Sequence, residues 1–331
     1  MTAPQRIVEV ITGTWRAQAL YTAATLGLAD HLAAGHRTAT ELAAAAGADT
    51  DGVARLMRLL VGMGVFAGDE HAGYELTGES QLLRGDVPGS MRDMCVLYGE
   101  EFHHAWGAVA TSVRTGRSGF EASFGQDLHA YLAERPEAGE KFLRAMNAGS
   151  SFFADVPRVY DFTGCRRIAD LAGGSGLLLS TVLAAVPAAH GVLFDRPHML
   201  PVAREHLTAT VPGRFDLAEG DLFDAVPGGS DVYLLSRILQ DWDDDRCVTL
   251  LTNVRKAMAD KDSRLLVVER VIPDGGTGIL PQLFDLHLLV MAGGRERTLD
   301  GYRRLLDAAS LRLTATHDMS LETTLLVAEP V

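Results

Sequence analysis

The sequence predicts an α/β protein in two parts, a doubly wound, Rossmann-like parallel sheet preceded by a mainly helical winged-helix region. Three observations carry this reading. At 331 residues and 47% hydrophobic content, the chain has material for two cores. Its first hundred residues read as helices closed by one Gly-punctuated hairpin. From Arg166 onward, short apolar runs alternate with helical stretches, the pattern of parallel strands joined by crossover helices. The expected boundaries are 1–98 for the winged helix, 99–160 for a helical linker and 161–331 for the sheet domain.

Each element follows from local pattern. Ala17–Ala34 mixes Ala and Leu with few breakers and reads as helical. Thr40 begins a short helix that stops at Gly47, and Asp49-Thr50-Asp51 caps a second over Val53–Met63, with Leu56, Leu59 and Leu60 at helical spacing. Gly68–Thr77 reads as the hairpin. Val87–Arg158 is mostly helical, with Tyr98, Phe102, His103, His104, Trp106, Phe142, Met146 and Phe152 interleaved, residues that pack a helical core or line an aromatic pocket. The expected parallel strands are Arg167–Leu171, Gly191–Phe194, Phe215–Ala218, Val232–Leu235 and Leu265–Val268. Two further β-rich runs, Leu311–Thr316 and Thr323–Ala328, close the chain in a way that a plain dinucleotide domain does not.

Composition narrows the partners. The formal net charge is −13, against the basic surplus that nucleic acids or anionic membranes demand. Residues 1–100 hold 7 Lys+Arg and 12 Asp+Glu, and the presumptive recognition helix offers only Arg55 and Arg58, so the winged helix reads as a packing or dimerisation unit. Cys95, Cys165 and Cys247 lie far apart with no CxxC, the pattern of a reduced, cytoplasmic protein without a zinc site. Arg6, Glu9 and Arg16 interrupt the N-terminal apolar residues, unlike a signal peptide, and no apolar run reaches bilayer length.

The chemistry gathers at strand tips. The first strand of the sheet runs into Asp170-Leu171-Ala172-Gly173-Gly174-Ser175-Gly176, a turn where glycine lets a ligand approach the backbone. The second ends in Phe194-Asp195, a carboxylate about 20 residues on that suits a ribose diol. The third ends in Glu219-Gly220-Asp221-Leu222-Phe223, an acid and apolar neighbours suited to an adenine amino group and ring. A dinucleotide fingerprint needs a small residue where Leu179 stands, and the acid Asp170 beside the loop suits a sulfonium or ammonium ligand rather than pyrophosphate.

These runs, followed by Leu235-Ser236-Arg237-Ile238-Leu239-Gln240-Asp241-Trp242-Asp243-Asp244 and by Gly293-Gly294-Arg295-Glu296-Arg297-Thr298, resemble the caffeate-type small-molecule O-methyltransferases, in particular the bacterial antibiotic-pathway branch. The resemblance covers essentially the whole chain. It implies a homodimer that binds S-adenosyl-L-methionine across the strand tips and a small aromatic substrate under a helical lid. It assigns the methionine-side loop to Gly173, Gly174 and Gly176, the ribose to Asp195, and the adenine to Asp221 and Leu222. Ser236 and Arg237 fall at a further cofactor contact. Phe142, Met146 and Ser150 match the F-xxx-M-xxx-S spacing of a helix that touches cofactor and substrate, and Trp106, His287 and Met291 join Phe142 and Met146 as candidate substrate contacts.

Two positions depart from the family pattern. Ala172 stands where the loop usually begins with glycine. Gln240 replaces the histidine of the H-D-W motif, the base that takes the phenol proton, while Asp241 and the two flanking glutamates persist as Glu269 and Glu296. A phenol with a pKa near 10 is about one part in a thousand ionised at pH 7, a deficit of roughly 4 kcal/mol. A carboxamide cannot accept that proton. Three readings stay open: oxygen methylation by proximity, with the proton handled by the substrate's own acidity or by a nearby group, His103, His104 or His287 being candidates; methylation at carbon or nitrogen; and loss of methyl transfer in a relative of hydroxylase or decarboxylase type.

Overall fold

The computed structural model describes residues 2–258, 261–275 and 278–331. It divides into two compact units, residues 1–104 with 132–149, and residues 105–131 with 150–331.

In the first unit, helices Ala3–Ile11, Gly13–Thr25, Leu28–Ala33, Ala39–Ala46 and Thr50–Gly62 precede a hairpin of β1 (Phe66–Asp69) and β2 (Gly73–Leu76). Local signals set the ends. Thr38 accepts from Glu41 N while the Glu41 carboxylate accepts from Thr38 N, a reciprocal cap. Gly47 closes that helix in the left-handed region at φ 63°. The expected Ala17–Ala34 helix is in fact two, because Gly27 turns left-handed at φ 64° between Thr25 and Leu28. The break points Leu28 and Leu32 into a core with Leu42, Met57, Leu60, Phe66 and Tyr74. The first helix buries no residue, and Ile7, Val10, Ile11 and Trp15 are each more than 60% exposed.

In the second unit, the sheet comprises β3 (Arg167–Leu171), β4 (His190–Asp195), β5 (Phe215–Glu219), β6 (Val232–Ser236), β7 (Arg264–Glu269), β10 (Leu311–Met319) and β11 (Thr323–Pro330). Two short strands, β8 (Val271–Ile272) and β9 (Arg297–Thr298), pair separately in parallel. The sheet order is β10-β11-β7-β6-β3-β4-β5. β3 to β7 are parallel; β11 runs antiparallel to β7 and β10 to β11. Apolar residues fill both faces, one side with Leu250, Leu251, Val254 and Tyr302, the other with Leu179, Val182, Leu183 and Leu207. Strands covered on both faces read as continuous apolar runs, which is why these were found in the sequence. The chain reverses direction through the sheet at β3, flanked by β4 and β6. A crevice at the carboxyl ends of such strands is where open α/β sheets bind ligands. No helix among the described residues is long and apolar enough to cross a membrane.

Candidate functional site

The loop after β3 is shaped by its own carboxylates. Asp170 is buried beneath it and accepts from Leu179 N at 3.2 Å. Burial pushes its carboxyl up to about 7. A Cβ on Gly173 would stand 2.7 Å from Asp170 Oδ2, and one on Gly176 2.9 Å from Leu207, so both positions require glycine. Ala172, by contrast, holds φ 53°, a left-handed conformation that glycine adopts more readily. It is kept there by its N–H, which donates to Phe194 O at 2.7 Å.

Asp195, at the tip of β4, accepts from Gly174 N at 2.8 Å on one oxygen and from Arg196 N at 2.7 Å on the other. Burial raises its pKa, against the pull of those two N–H groups. Each oxygen keeps a lone pair for a ligand hydroxyl. Past β5, Gly220 lies flat against Phe194, whose ring would stand 2.6 Å from an added Cβ. Asp221 accepts from Phe223 N at 2.9 Å and pairs with Arg196 at 3.3 Å, while Leu222 is buried. A cleft of about 320 Å³ opens here, lined by Phe194, Ala218, Gly220, Asp221 and Val226 among others. The glycine cradle, the two-oxygen acceptor and the apolar cleft follow one another across three adjacent strand tips. That order fits the amino-acid end, ribose and base of a nucleoside ligand such as S-adenosylmethionine.

On the other side of β3, at the tip of β6, Ser236 Oγ is buried without a hydrogen-bond partner. Arg237 also adopts a left-handed backbone, φ 54°, and its guanidinium donates to Ser150 Oγ at 2.8 Å. Ser150 does not share the helix of Phe142 and Met146, which spans Pro136–Ala148. Phe142 and Met146 belong to the first unit and Ser150 to the second. Phe142 packs edge-on against Phe102.

The residues around Gln240 form the second half of the site. Glu269, at the end of β7, receives Ile238 N at 3.0 Å and Leu239 N at 2.9 Å on the same oxygen, Oε1. Its Oε2 is buried and unpartnered, as are Gln240 Oε1 and both carboxyl oxygens of Glu296. The turn before β9 comes close because Arg295 N donates to Gln240 O at 2.8 Å. Burial, reinforced by the neighbouring Asp241 charge, pushes Glu269 up to about 8. Burial and the Glu269 charge push Glu296 up to about 9. Burial alone lifts Asp241 to about 7, against the nearby Arg237. At least one proton therefore stays in this cluster at neutral pH.

His287 lies in the helix Leu280–Ala292, where its Nδ1 accepts from Trp106 Nε1 at 3.0 Å. The remaining nitrogen must then carry the ring proton. Burial pushes the imidazole down to about 4, with Arg270 adding to the effect. His287 is thus a neutral N–H donor in this structure rather than a base. His103 and His104 fall in the first unit and the carboxyl cluster in the second. Met291 is buried, and its carbonyl accepts from Ser118 Oγ at 2.9 Å. Sequence reasoning missed Arg270, a buried cation stacked 3.7 Å over Phe284 and near enough to Glu296 to draw its pKa down. Its signal was a single basic residue directly after the apolar fifth strand of the parallel set.

Comparison with known proteins identifies the family. The O-methyltransferase domain family model matches residues 106–312, and the O-methyltransferase dimerisation domain model matches residues 8–85. The chain is 45% identical to 3-amino-4-hydroxybenzoate 4-O-methyltransferase of Streptomyces cremeus, over 99% of this chain and 90% of that one. It is 42% identical to phenazine-1-carboxylate N-methyltransferase of Pseudomonas aeruginosa, over 99% and 98%. The structure of CalO1, a methyltransferase of calicheamicin biosynthesis solved with S-adenosylhomocysteine bound, superposes with a TM-score of 0.89 at 33% identity, covering all of both chains. The chain belongs to the O-methyltransferase family and is an S-adenosylmethionine-dependent methyltransferase.

Proposed function

We propose that this enzyme methylates a hydroxyl oxygen of a small aromatic precursor of a secondary metabolite, and that carboxyl groups replace the missing imidazole. One observation carries the proposal: Gln240 sits among Asp241, Glu269 and Glu296, buried carboxyls held up to about 7, 8 and 9. A base poised near neutrality is what a phenol proton requires. The bound S-adenosylmethionine supplies an electrophilic methyl group on a sulfonium and leaves as a neutral thioether. Gly173, Gly174 and Gly176 cradle its amino-acid end, Asp195 holds the ribose, and Asp221 with Leu222 holds the base. Ser150, Ser236 and Arg237 complete the cofactor side. The phenol O–H passes its proton to the Glu269–Glu296 pair as the oxygen takes the methyl group. Gln240 stays neutral and orients the acceptor. Within the second unit, Trp106, His287 and Met291 line the aromatic site.

The winged helix joins two copies of the chain. This rests on the dimerisation domain match and on the exposed apolar side chains Ile7, Val10, Ile11 and Trp15. We place the enzyme in the cytoplasm, where its three free cysteines stay reduced. Methylation at nitrogen is the second reading. It is favoured by the loss of the imidazole at Gln240 and by the similarity to a phenazine-1-carboxylate N-methyltransferase.

Incubation with methyl-labelled S-adenosylmethionine and a panel of phenols, hydroxyaromatic acids and aminophenols, followed by mass analysis, tests the proposal. The expected product carries one labelled methyl on oxygen. The chemical step should accelerate as pH rises through about 7–9, and Glu269→Gln should remove that inflection. Label found on nitrogen, or no label on any acceptor, overturns it.

A further inference from the structure

We infer that Asn253 positions the base end of the cofactor site: its side-chain amide holds the Asp221–Asp224 turn from behind and so sets selectivity for the amino group of adenine. The inference rests on the assignment of the base to Asp221 and Leu222, and it adds the residue that keeps them in place.

Asn253 lies in the interior of the helix Asp244–Ala257, where it is buried, as are Cys247, Leu250, Leu251 and Val254. Asparagine suits a helix interior poorly, and burying its amide is costly unless the amide is hydrogen-bonded. Here both N–H groups and the carbonyl are used. Nδ2 donates to Leu222 O at 3.0 Å and to Phe223 O at 2.9 Å, while Oδ1 accepts from Lys256 Nζ at 3.4 Å. The polar residue is therefore placed to hold two successive carbonyls that lie about 30 positions earlier in the chain.

The line of contacts ends on Asp221. The carbonyl of Leu222 and the N–H of Phe223 belong to one planar peptide unit. Asn253 holds the oxygen at one end of that unit, and Phe223 N at the other end donates to Asp221 Oδ1 at 2.9 Å. The amide thus fixes the plane that aims the carboxylate, and its bond to Phe223 O fixes the next plane. The N–H groups of Asp224 and Ala225 are answered within the turn, by Asp221 O at 3.0 and 3.2 Å. The same helix steadies the Phe223 ring, over which Arg246 stacks at 4.1 Å. Asp221, Asp224 and Ala225 of this segment line the cleft. Without the amide, the Leu222–Phe223 plane is free to rotate, and Asp221 loses the N–H that orients it. Adenine presents an amino donor to that carboxylate, whereas hypoxanthine presents an oxygen, which a fixed carboxylate repels. Selectivity between the two bases therefore reports how well Asp221 is aimed.

Calorimetry on the full-length enzyme with S-adenosylhomocysteine and S-inosylhomocysteine tests this without any methyl acceptor. The wild-type protein should bind the adenosyl ligand at least about 30-fold more tightly, and Asp221→Ala should bring that ratio to within about threefold of one. Asn253→Asp keeps the shape of the side chain but turns acceptors toward the two carbonyls. It should lower the ratio at least about fivefold, as should Asn253→Ala, and Asn253→Ser, which keeps one donor, should lower it less. A merely structural role would weaken both ligands alike and leave the ratio where it was. In the wild-type protein, the Asn253 side-chain amide resonances should also shift when S-adenosylhomocysteine binds, a readout that needs no variant to fold. A ratio unchanged in the Asn253 variants but lost in Asp221→Ala, or amide resonances that ignore the ligand, overturns the inference and leaves the base assignment standing. A wild-type ratio within about threefold of one, or a ratio unmoved by Asp221→Ala, overturns the base assignment and the inference with it.

Discussion

The two halves of the site use carboxylates in opposite ways. Past β4 and β5, Asp195 and Asp221 are answered by nearby backbone: Gly174 N and Arg196 N for one, Phe223 N for the other. Past β6 and β7, the acids are buried more deeply and answered less. Glu269 uses one oxygen to hold two N–H groups of the Ile238–Leu239 turn and leaves the other bare, and Glu296 leaves both bare. The first arrangement makes a preformed cradle that costs little to maintain and asks only for shape and hydroxyls. The second leaves hydrogen-bonding capacity unmet inside the protein. In the function we propose, the well-partnered carboxylates are the binding end and the poorly partnered ones the reacting end.

The contrast can be broken at three points. The largest expected effect is on Glu269. Glu269→Ala would strand Ile238 N and Leu239 N in the interior, so urea denaturation should show a loss of about 3 kcal/mol. Glu269→Gln keeps an acceptor for both and should lose far less. Equal losses in the two variants would mean that the backbone contacts carry no weight. Next, Asp195→Ala should weaken binding of S-adenosylhomocysteine by about 1–3 kcal/mol in calorimetry, through loss of hydrogen bonds to a charged acceptor. Affinity unchanged by that substitution would remove Asp195 from the cofactor site.

The smallest effect depends on pH. The Glu296 carboxyl is raised to about 9 in the folded chain, chiefly by burial. A carboxyl raised on folding supports the fold fully below its unfolded pKa near 4 and loses that support as pH rises toward about 9. Glu296→Gln removes the ionisation. Relative to the parent, it should gain about 1–2 kcal/mol of stability at pH 8.5 and little at pH 5. A difference that does not vary with pH would show Glu296 to be charged and paired in the folded state.

Much of the proposed cofactor half is legible along the chain, because it is built from local backbone. A strand, a glycine turn and an acid at the next tip are each contained in a few consecutive residues, and their order alone places them side by side in a parallel sheet. The substitution of Gln240 for histidine was equally plain. The consequences of that substitution were not. They depend on Glu269 and Glu296, which lie 29 and 56 positions away and meet Gln240 only through the β6–β7 register and the Arg295 N contact. The role of His287 was unreadable for the same reason, since Trp106 claims its Nδ1 across 181 positions. Ser150 looked like the third member of a helical stripe, but the helix stops at Ala148.

By itself, then, the sequence determined the two-part architecture, the order of strands and loops, and the nucleoside character of the ligand. Apolar periodicity and glycine placement act over short stretches of chain, and neighbouring residues suffice to express them. Only the tertiary structure decided which acids are stripped of water, which oxygens find partners and which imidazole is held neutral. Desolvation and hydrogen-bond satisfaction are set by whatever packs around a group, and that is assembled from segments far apart in the chain.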